Sequence, residues 1–297
     1  MYKYKITVFT PTFNRGYIIE NLYKSLQRQS YKNFQWIVID DGSKDDTEKL
    51  FEKWTNEDNL FDITYKKVKN GGKHRAINRA IEIAEGELFF IVDSDDYLTD
   101  HALEKVIKWE ETIKNKNEFA GVAGVRGYSI NSRIGNTFKG EYIDATSLER
   151  NKNNITGDKA EVFYLDILKK YKFPEFEGEK FVTEKVVWNQ IAYDGYKIRW
   201  FNEIIYICDY LEDGLTKSMS RIELENPKSL ALSMKLDSIH YNMSNKKKIQ
   251  LWFDYYILLR NKISINEMAE NLQISNLLLK TIVYSWKAKC RIRSIFR

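Results

Sequence analysis

Over roughly the first 130 residues short apolar runs alternate with amphipathic stretches, and this alternation narrows the available folds most. Lys5–Thr10, Phe34–Ile39, Ile63–Val68 and Leu88–Val92 read as strands, apolar runs bounded by breakers or charges. Between them, Ile18–Gln29 carries Ile18, Ile19, Leu22 and Leu26 on one helical face. Asp46–Trp54 and Ala102–Ile113 are predicted helices, and Lys73–Ala84 turns Ala76, Ile77, Ala80, Ile81 and Ala84 inward. Strands joined through helices need crossover connections, so the expectation is a mostly parallel sheet with helices on both faces. Ligands of such open sheets bind beyond the carboxyl ends of the strands. Pro11–Asn14, Asp40–Ser43 and Asp93–Asp96 all fall at such ends.

After Ala120 the rhythm breaks into short strands, turns and one helix, Thr183–Tyr193; past Glu223 the chain is helical, aromatic and lysine-rich. The predicted division is an α/β domain over 1–222 and a helical C-terminal region over 223–297. With 43% hydrophobic and 14% aromatic residues the chain can bury a substantial core. A net charge of +5, without basic blocks in a reading motif, gives no ground to expect nucleic acid as a partner. Cys208 and Cys290 are far apart and lack metal-ligand spacing. The start shows no signal-peptide pattern, and no stretch approaches the ~20 apolar residues of a membrane span. The expected location is cytoplasmic. The tail mixes Leu277–Leu279, Ile282, Val283, Trp286 and Phe296 with Lys280, Lys287, Lys289, Arg291, Arg293 and Arg297. It fits a basic amphipathic helix lying on an anionic membrane, or equally one packed on the protein or a partner subunit. The sequence leaves the oligomeric state open.

Three stretches carry chemistry. In "ELFFIVDSDDYL" the run Leu88–Val92 delivers Asp93, Asp95 and Asp96 together, at a repulsive cost of roughly 1 to 4 kcal/mol per pair. A hard divalent cation completed by phosphate oxygens would relieve it. The alternative is a helix start, which Asp100 before Ala102 fits best, leaving Asp93 and Asp95 without a structural use. In "VIDDGSKDDTEKL", Asp40 and Asp41 can take hydrogen bonds from a base or ribose, whereas Gly42 to Asp46 read as a turn leading to a Ser or Asp helix cap. In "KNGGKHRAINRAI", Lys73, His74 and Arg75 stand in the first turn of a helix opened by two glycines. Cations are misplaced there unless an anion visits, so either a phosphate binds or the segment is a solvated loop. Neither a dinucleotide fingerprint nor a P-loop is present.

In this order and spacing, "VFTPTFNR", "IVIDDGSKDDT", "NGGKHRAINRAIEIAEGE" and "IVDSDDYL" resemble glycosyltransferase family 2. The likeness is continuous over Lys5–Asp100 and looser through "FPEFEGEKFVTEKVVWNQIA", "YLEDGLT" and the Gly157–Asp158 stretch. It implies a GT-A, Rossmann-like α/β fold, a mostly parallel central sheet flanked by helices, with a C-terminal helical appendage. Pro11, Thr12 and Asn14 would line the nucleotide pocket, and Asp41 would hold uracil or its counterpart. Lys73 would approach the phosphates, Asp93 would contact the ribose with Ser94 beside it in the donor site, and Asp95 would ligate Mn²⁺ or Mg²⁺. The implied reaction is metal-dependent inverting transfer from a nucleotide sugar, a UDP-sugar foremost, to a hydroxyl of a glycan or lipid-linked acceptor. Its setting would be bacterial surface polysaccharide synthesis, capsule or O-antigen, at the inner face of the membrane.

Relatives place a base in a Glu-Asp or Thr-Glu-Asp pair ahead of a helix; here Thr183–Glu184–Lys185 puts lysine where aspartate is expected. Glu184 is the candidate base, the alternative being a helix cap. Asp96, Asp158, Trp188 and Asp213 stand as acceptor-side or reserve residues, with Asp209 and Glu212 near the last of them. Trp188 and Trp200 read as core aromatics before sugar platforms. Two rivals remain. A sugar nucleotidyltransferase calls for a glycine-rich basic loop that "TPTFNRGY" does not provide, and a non-catalytic nucleotide-sugar or glycan-binding module gains if Lys185 marks a lost base.

Overall fold

The computed structural model describes residues 2–208 and 221–295, with side chains as far as Trp286, and the apolar runs form the middle of one sheet. Strand β1 (Tyr4–Thr12) pairs in parallel with β2 (Phe34–Asp40) and with β4 (Gly86–Ile91), and β2 with β3 (Asp62–Lys67). Every residue of β2 is buried, as a strand covered on both faces requires. Helices α1 (Glu20–Gln27), α2 (Thr47–Trp54) and α3 (Lys73–Ile83) make the crossovers. Tyr23 from α1, Trp54 from α2 and Trp36 from β2 join one aromatic cluster, the Tyr23 and Trp54 rings stacking 4.4 Å apart.

Beyond β4 come β5 (Tyr97–Leu98), α4 (Ala102–Glu111), β6 (Phe119–Ser129), β7 (Ser132–Arg133), β8 (Tyr142–Ala145), β9 (Lys159–Tyr164), α5 (Leu165–Leu168), α6 (Lys185–Tyr193) and β10 (Lys197–Ile207). The strand order is β3-β2-β1-β4-β9-β6-β10-β5, with β7 on β6 and β8 on β10. Strand β9 runs antiparallel to both neighbours, so β6, and β10 parallel to it, point the same way as β1–β4. The carboxyl ends of all six therefore share one edge, together with the start of β9.

The broken rhythm after Ala120 thus conceals two strands of eleven residues each. Strand β6, "FAGVAGVRGYS", lacks the bulk of an ordinary strand because its neighbours approach closely. A Cβ at Gly121 would stand 1.9 Å from the Val162 carbonyl oxygen of β9. The predicted cap also changes. Helix α4 follows His101 without a side-chain cap, and Asp100 instead pairs with Arg28 at 3.0 Å.

Packing divides the chain into two units, one holding residues up to Pro174 and those from Val187, the other holding Glu175–Val186 and the C-terminal helices. The second unit contains helices Pro227–His240, Asn245–Leu259, Ile265–Asn271 and Asn276–Ile295 around a core that includes Tyr255, Leu259, Met268, Leu279 and Val283. Pro227 opens its helix at a position whose amide needs no partner, and Ser264 caps the next-but-one helix by accepting the Glu267 N–H. No described helix is long and apolar enough to cross a membrane.

Candidate active site

The two loops after β1 and β2 are latched together. Asn14, held at φ 52°, donates its amide to Ser43 Oγ at 2.8 Å and accepts the Lys44 N–H on its side chain at 2.8 Å. Asp45 accepts from the Gly16 amide and from both the amide and hydroxyl of Thr47. The helix start falls to Asp45, not to Ser43 or Asp46, and Asp46 makes no side-chain cap. Pro11 and Thr12 sit opposite Ile39 and Asp40 in the β1–β2 register. Thr12 Oγ1 is buried and meets no partner among the described residues, a polar atom left to a ligand or water.

The paired aspartates of β2 have separate uses. Asp40 accepts from the Ser43 amide and the Tyr65 hydroxyl, so it belongs to the turn. Asp41 accepts the amides of Gly71 and Gly72, each at 2.7 Å, and the Asn70 side-chain amide at 3.1 Å. The anion at this glycine pair is therefore Asp41 of the chain itself, where the sequence suggested a phosphate. Gly72 needs its φ of 96°, in the region L side chains seldom adopt, to turn into α3.

At the end of β4 the three carboxylates receive unequal environments. Asp93 accepts Lys73 Nζ at 2.6 Å, and the guanidinium of Arg126 lies 3.6 Å from its other oxygen. Burial alone would raise its pKa; Lys73 and Arg126 hold it below the usual value. Asp96 accepts the Tyr206 hydroxyl at 2.7 Å and lies 3.9 Å from Arg126. Burial, then the charge of Asp93, push it up to about 7. The Tyr206 hydroxyl also accepts the Asp93 amide at 2.9 Å, and Arg126 stacks 4.1 Å over the Tyr206 ring while donating to the Lys159 carbonyl at 2.9 Å. Asp95 lies with its Oδ2 3.7 Å from Arg15 Nε, and burial followed by the charge of Asp93 raises its pKa as well, against the opposing pull of its own backbone amide, Arg15 and Lys73. Ser94 is buried between Asp93 and Asp95.

The raised pKa of Asp96 has a testable consequence. The folded state binds this proton more tightly than the unfolded chain, so the Asp96 contribution is complete below its ordinary pKa of 3.8 and is lost as pH rises toward 7. The melting temperature of Asp96→Asn relative to wild type is expected to climb between those pH values. A constant difference across them would refute the shift.

Other expected residues are dispersed. Asp158 is exposed just before β9, at the sheet edge that also bears the ends of β4 and β6. Trp188 stacks on Phe163 at 4.4 Å and meets Phe173 edge-on, so its ring packs within the fold. Trp200 is buried, with its indole N–H on the Ala145 carbonyl, and is unavailable to a sugar. Glu184 is half-buried immediately before α6 and groups with the C-terminal unit. Asp213, like Asp209 and Glu212, lies outside the described residues. Sequence reasoning missed Arg126 and Tyr206. The available signal was a lone arginine at the end of a small-residue strand, since a buried charge needs a specific partner.

A parallel sheet with a switch in direction at β9 and acidic groups at its carboxyl edge defines the GT-A class of nucleotide-sugar enzymes. The profile of "Glycosyl transferase family 2" matches residues 7–164, more than half of the chain. The chain belongs to that family. Similar proteins include the "GalNAc(5)-diNAcBac-PP-undecaprenol beta-1,3-glucosyltransferase" of Campylobacter jejuni, 30% identical over 195 residues, which cover 62% of this chain and 58% of that one. The "Poly(ribitol-phosphate) beta-N-acetylglucosaminyltransferase TarS" of Staphylococcus aureus is 36% identical over 128 residues, 42% of this chain and 22% of that one. These matches thus span less than two thirds of each relative's length, 58% of the first and 22% of the second. Among solved structures, S. aureus TarS 1-349 in complex with UDP-GlcNAc superposes with TM-score 0.62 at 20% identity, covering 96% of this chain and 92% of that one. The mannosyltransferase PcManGT of Pyrobaculum calidifontis in complex with GDP-Man and Mn²⁺ gives TM-score 0.55 at 17% identity over 97% and 76%.

Proposed function

We propose that this protein is an inverting, metal-dependent glycosyltransferase that moves a sugar from a UDP-sugar to a hydroxyl of a saccharide acceptor, lipid-linked or polymeric, in building a bacterial surface polysaccharide. The observation that carries the reading is the unequal aspartate trio. Asp93 is neutralised by the close contacts of Lys73 and Arg126, whereas Asp95 stands at the same edge with a raised pKa and, among the described residues, Arg15 at 3.7 Å as its ion-pair partner. The names of the relatives support the acceptor class and the β-linked product; common UDP-sugar donors are α-linked, so a β product means inversion.

The residues fit a hard divalent cation. Asp95 offers one part-buried carboxylate beside Asp93, and Mg²⁺ or Mn²⁺ takes one or two protein carboxylates with phosphate oxygens and water completing its shell. Asp95 would hold the ion, whose role when bound is to stabilise charge on the departing diphosphate. The chain's own groups do the rest. Pro11, Thr12 and Asn14 shape the base pocket, with Asp41 receiving the uracil N–H. Lys73, anchored by Asp93, presents its charge toward the phosphates, and Asp93 takes a ribose hydroxyl. Glu184 accepts the proton of the attacking hydroxyl, and Asp158 is a candidate acceptor contact. A second reading, a nucleotide-sugar-binding module without turnover, is favoured only by Lys185, and it predicts donor binding without product.

The test is a thermal-shift panel of UDP, GDP, dTDP and CMP with and without Mn²⁺. Ligand at about 100 times its Kd stabilises by ~2.7 kcal/mol, or roughly 5 to 10 °C. The expected result is a Mn²⁺-dependent shift with UDP that is lost in Asp95→Ala. No shift with any nucleotide would end the transferase reading.

A further inference from the structure

We infer that the C-terminal helical unit is the frame that positions Glu184, acting through Glu179, Asn226 and the Lys185–Asp237 ion pair. The inference rests on the proposed role of Glu184 as base. It accounts for a helical region that no family motif explains, and for the lysine where relatives are expected to carry aspartate.

The segment Glu175–Val186 is built into this unit by reciprocal capping. The Pro227–His240 helix begins after Asn226, whose side chain does not cap it. Glu179 supplies that function from the segment, accepting the Lys228 amide at 2.6 Å and the Ser229 amide at 2.9 Å. A buried carboxylate on helix N-terminal amides is favoured by both hydrogen bonding and the helix dipole. Asn226 returns the arrangement, its Oδ1 accepting the amides of Lys180 at 2.8 Å and Phe181 at 3.0 Å, while its Nδ2 donates to the Ile222 carbonyl at 2.7 Å. Farther along, Lys185 Nζ reaches Asp237 Oδ2 of the same helix at 2.8 Å. Glu184 therefore stands between two fixed points, the Phe181 amide and the Lys185 side chain. Val182 and Val186 are buried on either side of it, and the Val186 amide closes a turn onto the Thr183 carbonyl at 3.1 Å. A partly exposed ion pair adds little to folding. Its value here is geometric, because a side chain that must meet a proton in flight loses efficiency steeply when displaced.

The test uses the full chain and UDP release from UDP-N-acetylglucosamine with water as acceptor, together with hydrogen exchange. Lys185→Met and Asp237→Asn, both on partly exposed side chains, are expected to lower kcat roughly 10- to 100-fold. The donor KM should stay within about twofold, since donor binding and proton removal are separate contributions. Amide exchange across 182–186 should rise in both variants while that of the β1, β2 and β4 ends stays as in wild type. Lys185→Arg, and the swap of Lys185→Asp with Asp237→Lys, should restore most of the rate. A normal kcat in the single variants, with exchange at 182–186 accelerated, overturns the inference. So does a loss of donor affinity and exchange protection throughout the chain, which would mean ordinary destabilisation. Glu184→Gln serves as the control. Wild-type turnover in that variant sinks the base assignment itself, whereas a dead Glu184→Gln beside active Lys185 and Asp237 variants sinks only the frame.

Discussion

Glu184→Gln is expected to lower kcat for transfer by about 10²- to 10⁴-fold, the range that a positioned general base supplies. The amide keeps the size of the side chain and its hydrogen-bonding reach but cannot take a proton from an attacking hydroxyl. Nucleotide binding should survive, because the residues proposed to hold the donor lie at the end of β1, just after β1, β2 and β4, and at the start of α3, whereas Glu184 precedes α6. The measurement is steady-state kinetics beside the UDP–Mn²⁺ thermal shift. A fall in kcat with an unchanged shift identifies a group acting in the chemical step. Equal loss of both would make Glu184 a binding or folding residue, and no loss would move the search for a base to another carboxylate.

The second large effect concerns stability. Arg126→Ala removes the guanidinium that stands 3.6 Å from Asp93 and 3.9 Å from Asp96, leaving two largely buried carboxylates with Lys73 as the remaining close cation. Breaking a buried pair by deleting one partner costs on the order of 3–5 kcal/mol, because the other charge stays behind without compensation. At roughly 2 to 4 °C per kcal/mol for domains of 150–250 residues, the melting temperature should fall by about 6 to 20 °C. Part of the loss should be avoidable by protonation, so the deficit is expected to shrink as pH is lowered and the abandoned carboxylates take up protons. Arg126→Lys should recover only part, since an ammonium cannot face both aspartates, cover the Tyr206 ring and donate to the Lys159 carbonyl at once. Calorimetric scans of the two variants across pH decide the matter, and a loss of under about 1 kcal/mol in Arg126→Ala would show that the pair is not held as described.

The two predictions fall on opposite sides of what the sequence discloses. Glu184 is prominent in the sequence because its neighbour departs from an expected pattern, yet its surroundings could not be anticipated. Arg126 is inconspicuous in the sequence and central in the structure. The paired aspartates after β2 make the same point, since nothing local separates Asp40 from Asp41. One oxygen of Asp40 meets Tyr65, twenty-five residues away, while Asp41 meets glycine amides thirty and thirty-one residues away.

By itself the sequence determined the parallel half of the sheet and the edge at which the candidate residues gather. Those features follow from local periodicity: an apolar run that ends in Pro11, in Asp41–Gly42 or in Asp93 must stop at a sheet edge whichever partners it finds. Tertiary structure decided what the charged groups do there. The roles of Asp93 and Asp96 depend on groups that fold toward them from β6, β10 and α3, and the cap of the Pro227–His240 helix comes from Glu179, nearly fifty residues earlier. Electrostatic partners are chosen by distance in space, which periodicity does not encode, and in a small-residue strand such as β6 even the periodicity is lost, because close approach of the neighbouring backbone excludes the side chains that would reveal it.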